Sequence, residues 1–354
     1  MIDFYDLSLP PDVLGSEQLQ RVRQRHPSDT QGFRKIPLEC PNWMGKQWAM
    51  LDGETVRLKV CPSKVLGRWN TWGSSDLRQV VLETAPVVLR ELGVRVTAEL
   101  LAHLAAGNYR LHEVHIAHQF WLRNRGITDF VQSLARTISE SHGPEHLPPG
   151  QGIGFYLYRG SRTRHWVLYD KQRETERKAV PRYRQRFRRA EGFTRAGIGI
   201  EREFQRVVAS SGPRLELRLK DHFFGRNVAL ATGSGWSADT ADRLYRQYLV
   251  KLGLPSRVKA VYCREQAQRL PREVFKSYLL WAHGEDLRAL FRTDQTFQVH
   301  RRAMRRELGV DVGLPASAVL ARRGTVNAAR VFDWSNRVRV EDLAFFWADG
   351  SNSD

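Results

Sequence analysis

The chain has 354 residues, with 56 Lys+Arg against 38 Asp+Glu, a net charge of +18 and a pI near 10.3. A hydrophobic share of 42% and a charged share of 27% are those of an ordinary soluble globular protein, long enough for about two domains. No apolar run reaches the ~18 residues of a membrane span, and the surplus of arginine points to a polyanionic partner, nucleic acid ahead of a membrane surface.

The opening MIDFYDLSLPPDV carries acids where a signal peptide needs a basic region and an apolar core. Cys40, Cys61 and Cys263 form no CxxC pair and no disulfide framework, so the expected setting is a reducing cytoplasm. Residues 2–9 alternate as an opening strand, and 55–62 as another with Arg57 and Lys59 on one face. The stretch SKVLGRWNTWGSSDL reads as a loop. Its Lys64 and Arg68, with Trp69 and Trp72, suit a phosphate or stacked bases, although the two tryptophans equally suit the cap of a core. Asp76 opens an amphipathic helix that Pro86 is expected to break or kink, and TAELLAHLAA is a short helix stopped by Gly107.

The stretch 109–121, YRLHEVHIAHQFW, alternates as a strand. Leu111, Glu113, His115 and Ala117 fall on one face, and His112, Val114, Ile116 and His118 on the other. Glu113 and His115 then lie roughly 7 Å apart along the strand, placed to grip one divalent cation; a half-buried strand with a wet side explains the same pattern. A helix is expected over 126–141, then a Pro/Gly-rich loop, then a hairpin of GFYLYRG and RHWVLYDK. The arginine-dense run 171–195, which includes Arg184, Arg186, Arg188 and Arg189, is expected to contact DNA rather than only solvent. RLELRLK at 214–220 is a further strand, and helical periodicity dominates from about 235. The fold expected is α+β: an antiparallel sheet holding the strands near 55–61, 109–121, 163–171 and 214–220 side by side, helices on one face, and a mostly helical region behind. The domains expected are 1–230 and 231–354.

SRTRHWVLYDK resembles the active-site segment of filamentous-phage gene II replication initiators, whose pattern is S-R-x-R, four residues, then Y-x-K. Ser161, Arg162, Arg164, Tyr169 and Lys171 stand at that spacing. Three more blocks match in order: MIDFYDLSLP, the segment with Ser63, Lys64, Val65, Leu66, Asn70, Gly73 and Asp76, and RLELRLK through Arg214, Glu216, Arg218 and Lys220. The family usually shows R-x-D at the metal strand, where this chain has Glu113-Val114-His115; the nearest analogy is the H-hydrophobic-H strand of rolling-circle endonucleases.

The resemblance implies a nickase core like those endonucleases and a rolling-circle initiator. Tyr169 would attack one strand of a phage origin, forming a 5′-phosphotyrosine link and freeing a 3′-hydroxyl primer, and the displaced strand would later be rejoined. Lys171 would stabilise the phenolate or the pentacoordinate phosphorus. His115, with Glu113 and Glu216, would hold Mg²⁺ or Mn²⁺. Lys64, Arg68, Arg162, Arg164 and the 184–189 arginines would hold DNA. His112, His118 and His165 are read as structural or DNA-facing. Double-stranded origin and single-stranded DNA, a host helicase and a host polymerase are the implied partners, in the host bacterial cytoplasm and away from membranes. A noncatalytic origin-binding protein is the alternative, and a hydrolytic metal nuclease a third reading.

Overall fold

The computed structural model describes residues 1–26, 34–40, 45–52, 55–66, 73–122, 127–142, 153–179, 206–256, 270–308, 311–316 and 325–339, with 43, 145–146, 202, 204, 258–259 and 341. Arg68 and the arginines at 184, 186, 188 and 189 lie outside these residues, as do Trp69, Trp72, Cys263 and the C-terminal tail.

Among the described residues, nine strands form one antiparallel sheet: β1 (Ile2–Leu9), β2 (Arg34–Leu38), β3 (Gln47–Asp52), β4 (Thr55–Val60), β5 (Arg110–Gln119), β6 (Glu145–His146), β7 (Gly154–Leu157), β8 (Arg164–Tyr169) and β9 (Arg214–Leu219). Their spatial order is β2-β3-β4-β1-β5-β9-β8-β7-β6. The expected strands are therefore side by side, with β1 inserted between β4 and β5. The helix α1 (Pro11–Arg25) and strands β2 and β3 are additions that periodicity did not reveal.

Alternation gives the sheet two unlike faces. Tyr5, Leu7, Leu58, Val60, Val114, Ile116, Leu215, Leu217, Trp166 and Leu168 are buried in one hydrophobic cluster. That cluster takes in apolar residues of α2 (Leu77–Leu92), α3 (Ala98–Ala106), α4 (Ile127–His142) and α5 (Thr240–Lys251). The other face carries Asp6, Arg57, Lys59, Glu113, His115, Glu216, Arg218 and Tyr169. Arg57 and Lys59 share a face as expected, and both close on the buried Asp6 at 2.6 and 3.3 Å.

Caps explain the helix starts. Asp76 accepts from the N–H groups of Arg78 and Gln79, and Thr97 from Leu100. Gly107, at φ 78°, closes α3 in the left-handed region that glycine adopts freely. Pro86 does not break α2: the helix continues to Leu92, with Pro86 buried between Ala85 and Val88. Core packing there outweighs the one lost hydrogen bond. Pro62–Val65 is a helical turn rather than loop.

In the C-terminal third, Leu244, Tyr245, Val258, Val326, Val331 and Phe332 belong to the sheet's own cluster. A second cluster joins Val274, Tyr278, Trp281, Leu287, Phe297 and Met304 from α6 (Arg272–Ala282), the turn Leu287–Leu290 and α7 (Asp294–Leu308). The expected boundary at 230/231 thus precedes a helix that packs with the sheet.

Candidate active site and metal centre

The polar face gathers its chemistry where β1, β5, β9 and β8 lie side by side. His115 of β5 faces Arg218 of β9 in register, and Ala117 faces Glu216. Glu216 faces Val167 of β8, and Arg214 faces Tyr169. The small Ala117 leaves room for the Glu216 carboxylate, whose Oε1 lies 3.0 Å from His115 Nδ1. Arg218 Nε donates to the same oxygen at 2.7 Å. Tyr169 Oη donates toward Glu216 Oε2 at 3.5 Å, the outer limit of a hydrogen bond. His115, Glu216 and Tyr169 are therefore brought together at one carboxylate.

Glu113 also reaches His115, but at the other ring nitrogen: its Oε1 lies 2.7 Å from Nε2. The residue that joins His115 and Glu216 instead is Asp3. One ligand atom from each of Asp3, His115 and Glu216 lies within 4.8 Å of the other two, and all three side chains are buried. A β-bulge puts it there: Ile2 pairs Ile116 and Phe4 pairs His115, so Asp3 is the extra residue between. A second irregularity sets His112 between the Asp6–Glu113 and Leu7–Leu111 pairs. It sends Leu111 into the apolar cluster, off the face that strict alternation assigns it. Asp3 was missed because a bulge leaves no mark in period-two alternation; the acids in the opening strand were the only signal.

The charges hold one another. Burial and Arg218 push His115 down, but Glu113 and Glu216 outweigh them and raise it above its ordinary value. Burial opposes ionisation of Glu216, yet Arg218, His115 and Arg214 hold it well below the carboxylate range. Burial raises the Tyr169 hydroxyl well above 10, with Arg214 pulling the other way. Arg214, fully buried, pairs Asp3 at 3.1 Å.

β8 ends at Tyr169, so Lys171 does not share its strand face; it begins a helical turn, Lys171–Glu174. Asp170 makes that turn. One carboxylate oxygen caps the Arg173 N–H, and the other accepts from Thr128 of α4 at 2.6 Å. Lys171 is thereby folded back, with Nζ 5.6 Å from the Tyr169 ring centre and 2.7 Å from Glu174. Burial lowers its ammonium to about 8.

The remaining expected residues are dispersed. Arg162 is exposed, Lys64 is half-buried in the Pro62–Val65 turn, and Arg164 lies over the Tyr248 ring at 4.4 Å. His112 bonds Ser8 and Asp221, and His118 faces Asp242 at 3.3 Å. The two carboxylates and one imidazole of the buried Asp3–His115–Glu216 group could together hold a metal ion.

Residues 47–239, more than half of the chain, match the family described as the N-terminal part of the phage gene II replication-associated protein. The chain belongs to this family. It is thus a phage replication-associated protein of the gene II type, and the three inner blocks of the resemblance all fall inside the matched region. Curated proteins and solved structures yield no match. Among the described residues, no helix is long and apolar enough to cross a membrane.

Proposed function

We propose that this initiator nicks one strand of its phage origin through Tyr169 and remains attached to the 5′ side. The single observation that carries the reading is the convergence on Glu216: the tyrosine of the matched motif and the Asp3–His115–Glu216 group meet at one carboxylate. A binding protein without chemistry has no need of that arrangement.

In the reaction proposed, the Tyr169 oxygen gives its proton to solvent and bonds to phosphorus, the bond from phosphorus to the 3′-oxygen breaks, and that oxygen takes a proton from solvent to become the primer hydroxyl. Glu216 accepts the Tyr169 hydrogen bond and orients the oxygen. Arg214, across the strand pair, and Lys171, against the ring, lower the cost of the phenolate and of charge developing on phosphate. Asp3, His115 and Glu216 would hold a divalent cation, which would supply the further positive charge that a tyrosine of raised pKa needs. Glu113, on the outer ring nitrogen, fixes the imidazole orientation as carboxylates behind metal-bound histidines do. Rejoining reverses the first step, a 3′-hydroxyl attacking the phosphotyrosine.

Origin duplex and single-stranded DNA are the proposed substrates, a host helicase and polymerase the partners, and the host cytoplasm the location. We further propose that α5 and residues 326–332 work with the sheet, and that 270–316 is the second unit, since each follows its own apolar cluster. The test is a labelled origin oligonucleotide incubated with the chain and Mg²⁺ or Mn²⁺ and run on a denaturing gel. A covalent adduct beside an extendable 3′-end supports the reading. Cleavage without adduct favours hydrolysis, and binding without cleavage the noncatalytic alternative.

A further inference from the structure

On the polar face, the row next to Glu216 runs His115, Arg218, His165 across β5, β9 and β8. His165 is 6% exposed, and its Nδ1 is buried without a hydrogen-bond partner. An orphaned buried donor or acceptor costs about 1–3 kcal/mol, which a hydrogen bond from a bound ligand would recover. The His165 ring lies 5.7 Å from that of Tyr156, and two guanidiniums lie over the Tyr156 ring: Arg159 at 4.9 Å and Arg218 at 5.8 Å. Glu216 fixes Arg218 through Nε alone, and a quarter of its side chain (26%) is exposed. Arg159 is 47% exposed and, among the described residues, pairs only with the exposed Glu145, a contact worth little in water. Lys220 closes the group, its Nζ on the carbonyls of Arg159 and Ser161.

We propose that Arg159, Arg218 and His165 form a subsite for one backbone phosphate of the DNA strand, beside the Tyr169 centre. His165 and Tyr169 are four residues apart on β8, roughly 13 Å at ~3.3 Å per residue, so the phosphate is a flanking one and not the scissile one. Two guanidiniums held over one aromatic ring can offer their N–H groups to a phosphodiester. Burial lowers His165 to about 3, so its imidazole contributes a neutral hydrogen bond. The subsite deepens the nickase reading and rests on it for the strand's identity, but not for the binding measured below.

The test is a double-mutant cycle read by fluorescence anisotropy on the full chain, with a fluorescein-labelled 12-mer of oligothymidylate, no divalent ion and a series of salt concentrations. His165→Leu is expected to weaken binding about tenfold, the size of one lost bond to a charged group. The salt slope should stay unchanged, because the lost group is neutral. Arg159→Gln should weaken binding and reduce the slope by ~0.7, one single-strand phosphate contact. The double variant should bind about as well as the weaker single one, and His165→Gln, which keeps an N–H, should retain most of the affinity. Unchanged affinity in His165→Leu overturns the proposal, and so do fully additive losses, since groups on one phosphate must couple. Absence of a covalent adduct in the nicking assay would sink the nickase reading and leave this outcome untouched.

Discussion

The two faces of the central sheet use the same backbone for opposite ends. Along β9, Leu215, Leu217 and Leu219 enter an apolar cluster, while Arg214 and Glu216 between them are equally hidden, and Arg218 partly so, yet all three are charged. Burial of the first set is favourable in itself, at about 25 cal/mol per Å². Burial of the second is tolerated only because each charge meets another: Arg214 with Asp3, Arg218 with Glu216, Glu216 with His115. One face therefore carries stability, and the other holds paired charges against the cost of their desolvation. Substitutions that separate the two are the way to test this division.

The largest effect is expected on the polar face. Tyr169→Phe removes one oxygen, so origin nicking and the adduct should fall by about a thousandfold or more, while the melting temperature and duplex binding barely change. A loss of binding in parallel would show that Tyr169 acts in docking. On the other face, Leu217→Ala should cost about 2–5 kcal/mol of stability by the usual cavity penalty. Its specific nicking rate per folded molecule should be unchanged at temperatures where it is folded. A rate defect without a stability defect would mean that the faces are not independent.

Legibility of the sequence follows the same line. The period-two pattern exposed β5 and β9, and with them Glu113, His115 and Glu216, because strands with one apolar face announce themselves, and the Gly160-Ser161 break marked β8 as one arm of a hairpin. Motif spacing placed Tyr169 and Lys171. Three things could not be read. The bulge that turns Asp3 toward His115 depends on the β1–β5 register, a long-range property. The turn at Asp170 depends on Thr128 from another element. Strands β2 and β3 lie in a stretch between the opening strand and residue 55 that gave no reading.

Within the polar face, the metal group and its support should respond unequally. Asp3→Asn is expected to weaken Mn²⁺ binding by about tenfold to a hundredfold, and Glu113→Gln less, as the second carries the ring rather than the ion. Titration of each variant with Mn²⁺, followed by water proton relaxation, reads this directly. The reverse order would return Glu113 to the ligand set and move Asp3 to a structural pairing with Arg214.

The smallest effect, a few-fold change in rate, concerns Lys171 and pH. Its ammonium falls from an ordinary value of 10.5 to about 8 on folding, chiefly by burial. Between pH ~8 and ~10.5 the unfolded chain therefore binds more protons at this site than the folded one. By linkage its contribution to stability rises with pH across that window, and the cost of a buried charge is fully present only below about 8. Activity should move the other way. If the charged form serves the phenolate, nicking should decline as pH passes about 8, while stability does not. Lys171→Arg keeps a positive charge at every pH in this range and should hold its rate above pH 8, provided the longer side chain fits. A wild-type rate that climbs steadily to pH 9.5 would mean that neutral Lys171 takes the Tyr169 proton instead. The polar face would then supply the base as well as the charge.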